Sequence, residues 1–143
     1  MNAKSLALAA SMLFSTGCIV VSTDTIDAGD PIDARFLLTW TTLDAANGMT
    51  IDCFTAGADT VRVRAKNTST GNVLTDLFDC SSRAGATYEI TAGDYYVYVD
   101  LVDCRGDTSC RRPRVVSSVS RTALQPVWQE GDYDLGHFVF MVE

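Results

Sequence analysis

The residues best placed to do chemistry are the cysteines. There are five, at positions 18, 53, 80, 104 and 110, and an odd number in an exported chain requires an explanation for the leftover. Cys18 closes an apolar leader, so Cys53, Cys80, Cys104 and Cys110 remain as an even set. Four thiolates could hold zinc, but no two are spaced as a Cys-x-x-Cys knuckle. Disulfides are the better reading, and they place the chain in an oxidising compartment.

Four cysteines allow three pairings. A turn near residues 69–70 folds the strands on either side of it so that Cys80 lies beside residue 59, a short loop from Cys53. Cys104 and Cys110 flank a tight tip. The expected bridges are therefore Cys53–Cys80 and Cys104–Cys110. By the chain-entropy model they contribute roughly 3.5 and 2 kcal/mol before strain.

The tip reads CRGDTSC. Arg105, Gly106 and Asp107 in a closed loop suggest a cell-adhesion ligand, although glycine between polar residues is also ordinary turn chemistry. A second candidate binding loop, 125–134, brings Trp128, Asp132 and Tyr133 together with Glu130 and Asp134. Aromatic rings beside carboxylates suit sugar or peptide contact, while Trp128 could instead cap the core. Catalysis has little to work with. His137 is the single histidine, it sits next to Phe138 on the last strand and faces opposite to the core residues, and no third group is placed to hold it as a base. No catalytic residue, metal site or cofactor is expected.

Residues 1–18 read MNAKSLALAASMLFSTGC, with Lys4 at the start and an apolar run from Leu6 to Phe14 that is too short to span a membrane. The closing Ser15-Thr16-Gly17-Cys18 resembles a bacterial lipobox, with Ser15 where leucine is usual. That resemblance implies cleavage after residue 17 and fatty acylation of Cys18, with several acyl chains giving a stable anchor. Ile19, where an aspartate would signal retention at the inner membrane, points to the outer membrane. Residues 18–33 then form an acidic tether with four aspartates and no cation. Their spacing lacks the closing glutamate of a calcium loop.

The folded domain is expected over 34–143. The stretch around which it is organised is AGDYYVYVDLVD, residues 92–103. Tyr95, Val97, Val99 and Leu101 share one face at period two, and Tyr96, Tyr98, Asp100 and Val102 share the other, the mark of a half-buried strand. The same alternation puts Phe36, Leu38 and Trp40 inward on a first strand. On a second, Val61, Val63 and Ala65 face in and Arg62, Arg64 and Lys66 face water. A third strand spans Val73 to Asp79, and a short fourth carries Ala86, Tyr88 and Ile90 on one face. A sixth runs from about Arg114 to Thr122, and a seventh covers Leu135 to Val142 with Phe138, Phe140 and Val142 inward. The fold class is all-β, a single immunoglobulin-like or prealbumin-like sandwich of about seven antiparallel strands.

The runs ADTVRVRAKNTSTGNVL and ITAGDYYVYV resemble prealbumin-like and collagen-adhesin B-type modules of exported bacterial proteins, a group that includes carboxypeptidase regulatory-like domains. In those modules the tyrosine of the small-Gly-x-Tyr-x-Val pattern begins a core strand, which implies that role for Tyr95. The internal Lys–Asn bond of adhesin modules has one lysine available here after the leader, Lys66 on the outward face, so disulfides take its place.

The formal charge is −7, and loss of a leader holding Lys4 takes it to −8. An acidic domain repels phosphate, so nucleic acid is not an expected partner. The expected partners are the membrane, through the N-terminal lipid, and an envelope protein or polysaccharide. The expected function is that of a lipid-anchored structural or binding module of the cell envelope, exported and held at the outer membrane. The alternatives are an adhesive ligand displayed at 104–110 and an envelope hydrolase.

Overall fold

Period-two alternation is realised most cleanly where both faces of a strand have a distinct fate. The computed structural model describes residues 25–120 and 123–143. Among the described residues there are eight strands: β1 (Ala34–Asp44), β2 (Thr60–Asn67), β3 (Val73–Asp79), β4 (Ala84–Ala86), β5 (Gly93–Asp103), β6 (Arg114–Ser120), β7 (Gln125–Val127) and β8 (Gly131–Val142). They form two sheets. One has the order β4-β1-β8, and the other β3-β2-β5-β6 with β7 pairing the start of β5. Apart from a single 3₁₀ turn at Cys80–Ser82, the described residues contain no helix, and none is long or apolar enough to cross a membrane.

The core lies between the sheets. Phe36, Leu38 and Trp40 of β1, Val61, Val63 and Ala65 of β2, and Tyr95, Val97, Val99 and Leu101 of β5 are all buried there. Phe138, Phe140 and Val142 complete it from β8. These are the inward sets that the alternation predicts. The Tyr95 ring meets Phe36 edge-on at 5.6 Å and its hydroxyl donates to the Thr91 carbonyl at 2.7 Å, so it is a core residue at the head of β5.

The structure departs from the sequence expectations in five places. The sandwich is not wholly antiparallel, because β1 and β8 run parallel over most of their length. The chain leaves β1, builds the other sheet, and returns to β1's free side. Second, residues 125–134 are not one loop: Gln125–Val127 pairs with Gly93–Tyr95, and β8 begins at Gly131. Third, β8 carries a bulge, where Leu37 faces Asp134 but Thr39 faces His137. Gly136 sits there at φ +83°, and the extra residue moves the inward set from Tyr133 and Leu135 to Phe138 and Phe140. Fourth, β4 stops at Ala86. Thr87 turns inward and exchanges hydrogen bonds with the Phe36 backbone, leaving Tyr88 81% exposed. Fifth, ordered pairing begins before residue 34: Gly29 donates to Ala92, Ala92 to Asp30, and Pro31 bridges Thr91. The leader, Cys18 and the first part of the tether lie outside the described residues, as do residues 121–122 of the expected sixth strand.

One close approach fixes the entry to β5. The buried Asn67 amide donates to the Ala92 carbonyl and accepts from Ser69 and Thr70, which shapes the β2–β3 turn. Gly93, at φ +146°, lies directly against it, and a Cβ there would stand 2.3 Å from Asn67 Nδ2. Because that amide is held by three hydrogen bonds it cannot swing away. Gly93→Ala is therefore expected to lower the unfolding free energy by about 2–4 kcal/mol, measured by urea denaturation of the oxidised protein. An unchanged midpoint would mean that Asn67 is not held.

Candidate functional site

The expected cysteine pairing is present. Cys53 is bonded to Cys80 and Cys104 to Cys110. The register that predicted the first bridge also holds, since Thr60 faces Asp79 and the Cys80 amide donates to the Asp59 carbonyl. Such bonds persist in oxidising compartments, so the domain belongs to an exported protein.

The tip 104–110 is an exposed loop on a buried base: residues 105–109 are exposed, and Cys104 and Cys110 are buried. Its disulfide packs with Val102 into a small cluster separate from the main core, on the outward side of β5. The Cys104 amide donates to the Asp59 carboxylate at 2.9 Å. Arg105 and Gly106 both take positive φ, which turns the chain back. Asp107 accepts from the amide and hydroxyl of Ser109 through one oxygen and from the Arg111 amide through the other. The Ser109 hydroxyl and amide hold its carboxyl below the usual range. Asp107 thus serves as the keystone of its own turn. The carboxylate remains exposed, and its bonds to Ser109 are ordinary turn chemistry.

The second candidate group does not form one site. Trp128 is 36% exposed and donates its indole N–H to Asp94 at 3.0 Å, so it lies at the rim of the five-stranded sheet and not as a cap on the core. Tyr133 turns the other way. Its ring packs on Phe36, and its hydroxyl donates to the Gln129 carbonyl. Asp132 makes an exposed ion pair with Arg35 at 3.3 Å. Trp128 and the tip 104–110 lie at opposite ends of β5, about 33 Å apart at the usual strand rise. His137 stands on the outer face of the three-stranded sheet, with its two ring nitrogens hydrogen-bonded to the Thr39 and Thr41 hydroxyls. Among the described residues, no three His, Cys, Asp or Glu side chains are grouped to hold a metal ion.

The most organised polar cluster is one that the sequence reading passed over. Asp100 is 2% exposed on the outward face of β5, the face it shares with Tyr96 and Tyr98. One of its oxygens accepts from Arg62 at 2.7 Å and pairs with Arg64 at 2.9 Å, while the other accepts from Ser118 at 2.7 Å. Burial opposes its charge, but the Ser118 and Arg62 hydrogen bonds and the Arg64 and Arg62 charges outweigh that and keep the carboxyl below the usual range. Arg64 also lies over the Tyr98 ring, 5.7 Å from its centre. Arg62 and Arg64, expected to face water, instead clamp this carboxylate. The signal was present in the register: residues 62 and 100 are directly opposed once Thr60 meets Val102.

A second buried carboxylate behaves oppositely. Asp76 points inward from β3, accepts a hydrogen bond from the Tyr88 amide, and its carboxyl is pushed up by burial.

Comparison with known proteins adds no relative: no family model, curated protein or solved structure matches this chain.

The two carboxylates make opposite contributions to stability against pH. The folded pKa of Asp100 is depressed, so its stabilisation is present above the unfolded value and is lost as pH falls through the folded one. That of Asp76 is raised, so its ionisation opposes folding above the folded value and the penalty fades as pH falls towards the unfolded one. Asp76→Asn keeps an acceptor for Tyr88 and is expected to stabilise the domain at pH 7, with the gain shrinking towards pH 4. Asp100→Asn is expected to destabilise it by about 2–3 kcal/mol at pH 7, less than for a fully buried pair because Arg64 is partly solvated. Urea midpoints at pH 4 and 7 test both signs, and a destabilised Asp76→Asn would overturn the account of that residue.

Proposed function

We propose that this chain is a lipid-anchored module of the cell envelope that works by presenting a rigid surface and not by catalysis. The observation that carries this reading is the closure of Cys53, Cys80, Cys104 and Cys110 into two bridges. With all four satisfied, Cys18 has no thiol partner in the chain, and it stands where the lipobox-like STGC ends. An acylated Cys18 explains the odd cysteine, the apolar leader and the acidic segment that follows. Outer-membrane placement, from Ile19, belongs to the same reading, as does kinship with the prealbumin-like and adhesin B-type modules.

The chemistry of the described surface supports a non-enzymatic role. His137 meets hydroxyls and no carboxylate, and the best-organised charges, two arginines on the one carboxylate of Asp100, form a net positive cluster and not an acid–base pair. The partners in this reading are the membrane, through the lipid on Cys18, and an envelope polysaccharide or protein.

Metabolic labelling with a fatty acid should mark the wild-type chain and leave Cys18→Ser unlabelled. That variant should appear in the periplasm or as unprocessed precursor, and globomycin should make the wild-type precursor accumulate. Absence of label together with indifference to globomycin would refute the anchor.

A further inference from the structure

The outward face of the five-stranded sheet carries an arrangement that neither the core nor the disulfides require. Along β5, Asp94, Tyr96, Tyr98 and Asp100 point outward in turn. Tyr96 and Tyr98 are each 39% exposed, and Trp128, tied to Asp94, adds a third aromatic residue at 36%. At a strand rise of about 3.4 Å the two tyrosines lie about 7 Å apart, close enough for one extended polymer to touch both rings. β5 is a central strand of its sheet, so this aromatic rank crosses the middle of the face and does not fringe an edge.

Beside it runs a rank of cations. Lys66 is directly opposite Tyr96, Arg64 opposite Tyr98 and Arg62 opposite Asp100. The carboxylates on the face are already used. Asp94 accepts from Trp128, and Asp100 is held by both arginines and Ser118. Among the described residues no carboxylate pairs with Lys66, although the chain as a whole carries a formal charge of −7. Acidic residues are therefore abundant elsewhere and absent from the one position that would neutralise this ammonium.

We infer that this face binds a linear polysaccharide bearing carboxylated sugars, which lies along β5 over Tyr96, Tyr98 and Trp128 with its carboxylates directed to Lys66 and Arg64. Aromatic rings pack against the C–H faces of sugars, and charge-assisted hydrogen bonds to a carboxylate give direction. Aromatic rings beside cations also suit single-stranded nucleic acid. The two disulfides place the domain outside the reducing cytoplasm, where polysaccharide and not single-stranded nucleic acid is the abundant polyanion, so a glycan is the better match. This inference rests on the surface-module reading for its compartment only. Acyl labelling of Cys18 and glycan binding are separate measurements, so either can fail alone.

Affinity electrophoresis of the full chain, oxidised and in mild detergent, tests it with polygalacturonate cast in the gel. Retardation is expected with polygalacturonate and not with neutral dextran. Tyr96→Ala/Tyr98→Ala and, separately, Lys66→Ala should each weaken retardation by about tenfold or more. Circular dichroism and disulfide mapping of each variant establish that it is folded. The proposal falls if polygalacturonate gives no retardation, or if dextran retards equally. It also falls if oligothymidylate binds as well as polygalacturonate. Loss of binding in Lys66→Ala with no effect of the tyrosine pair would reduce the face to a point charge, and overturns it as well.

Discussion

The two sheets are held in register by what meets at Cys80. This residue follows directly on β3 in one sheet and begins the 3₁₀ turn that delivers the chain to β4 in the other. Trp40, from the central strand of the second sheet, donates its indole N–H to the Cys80 carbonyl at 2.8 Å while its ring lies against Phe78. The Cys80 amide donates to Asp59 and its sulfur is bonded to Cys53, in the long connection that joins the sheets a first time. One residue thus fixes both crossovers at this end of the sandwich. A buried indole needs a partner for its N–H, and here that partner is the backbone at the point where a fluctuation would separate the layers. The disulfide adds to this by shortening the loops that the unfolded chain must close.

With the layers fixed, β5 becomes the spine of the larger sheet, and its two faces have different roles. The inner one is apolar without interruption from Tyr95 to Leu101. The outer one is graded along the strand: exposed aromatics first, then the Arg62–Asp100–Arg64 clamp, then Val102 beneath the Cys104–Cys110 bridge. The clamp allows a carboxylate to be buried on a face that is otherwise half solvated, since three donors replace the water it loses. It also stiffens β2 against β5 and holds the arginine side chains upright beside Tyr98. The two disulfides therefore act on different surfaces, one joining the layers and the other finishing the outer face.

How much of this was legible in sequence depended on whether the deciding contact was local. Val61, Val63 and Ala65, like Phe36, Leu38 and Trp40, could be assigned to the core because alternation is a property of the strand itself. The β2–β3 turn gave a register, and the register gave the Cys53–Cys80 bridge. Asp100 was assigned to the outer face, but its burial needed Arg62, Arg64 and Ser118 from two other strands. The parallel β1–β8 pair had no local signature at all, because nothing within either strand records what lies on its far side. β7 was hidden by Pro126, which reads as a loop residue although a sheet edge tolerates it. In β8 the bulge at Gly136 broke the alternation, so the first half of the strand, with Tyr133 and Leu135 inward, read as part of the preceding loop.

The direction of β5 also orders the surfaces relative to the N-terminus. The ordered tether meets the fold at Gly29–Pro31, which pair with Thr91 and Ala92 immediately before Gly93. Trp128 sits at that same end through Asp94, while Cys104 follows the far end of the strand. Residues 18–24 can span at most about 25 Å when extended. If Cys18 carries the proposed lipid, the Trp128 end is the end of β5 where the anchored segment joins the fold, and the Cys104–Cys110 tip lies at the other. The face bearing Tyr96, Tyr98 and Lys66 then runs along the flank between the two. A long polymer can lie on such a flank without passing between the domain and the bilayer. The tip lies at the far end of β5 from Trp128, where its own Asp107 turn closes it, Asp59 pins its base and the disulfide shortens it.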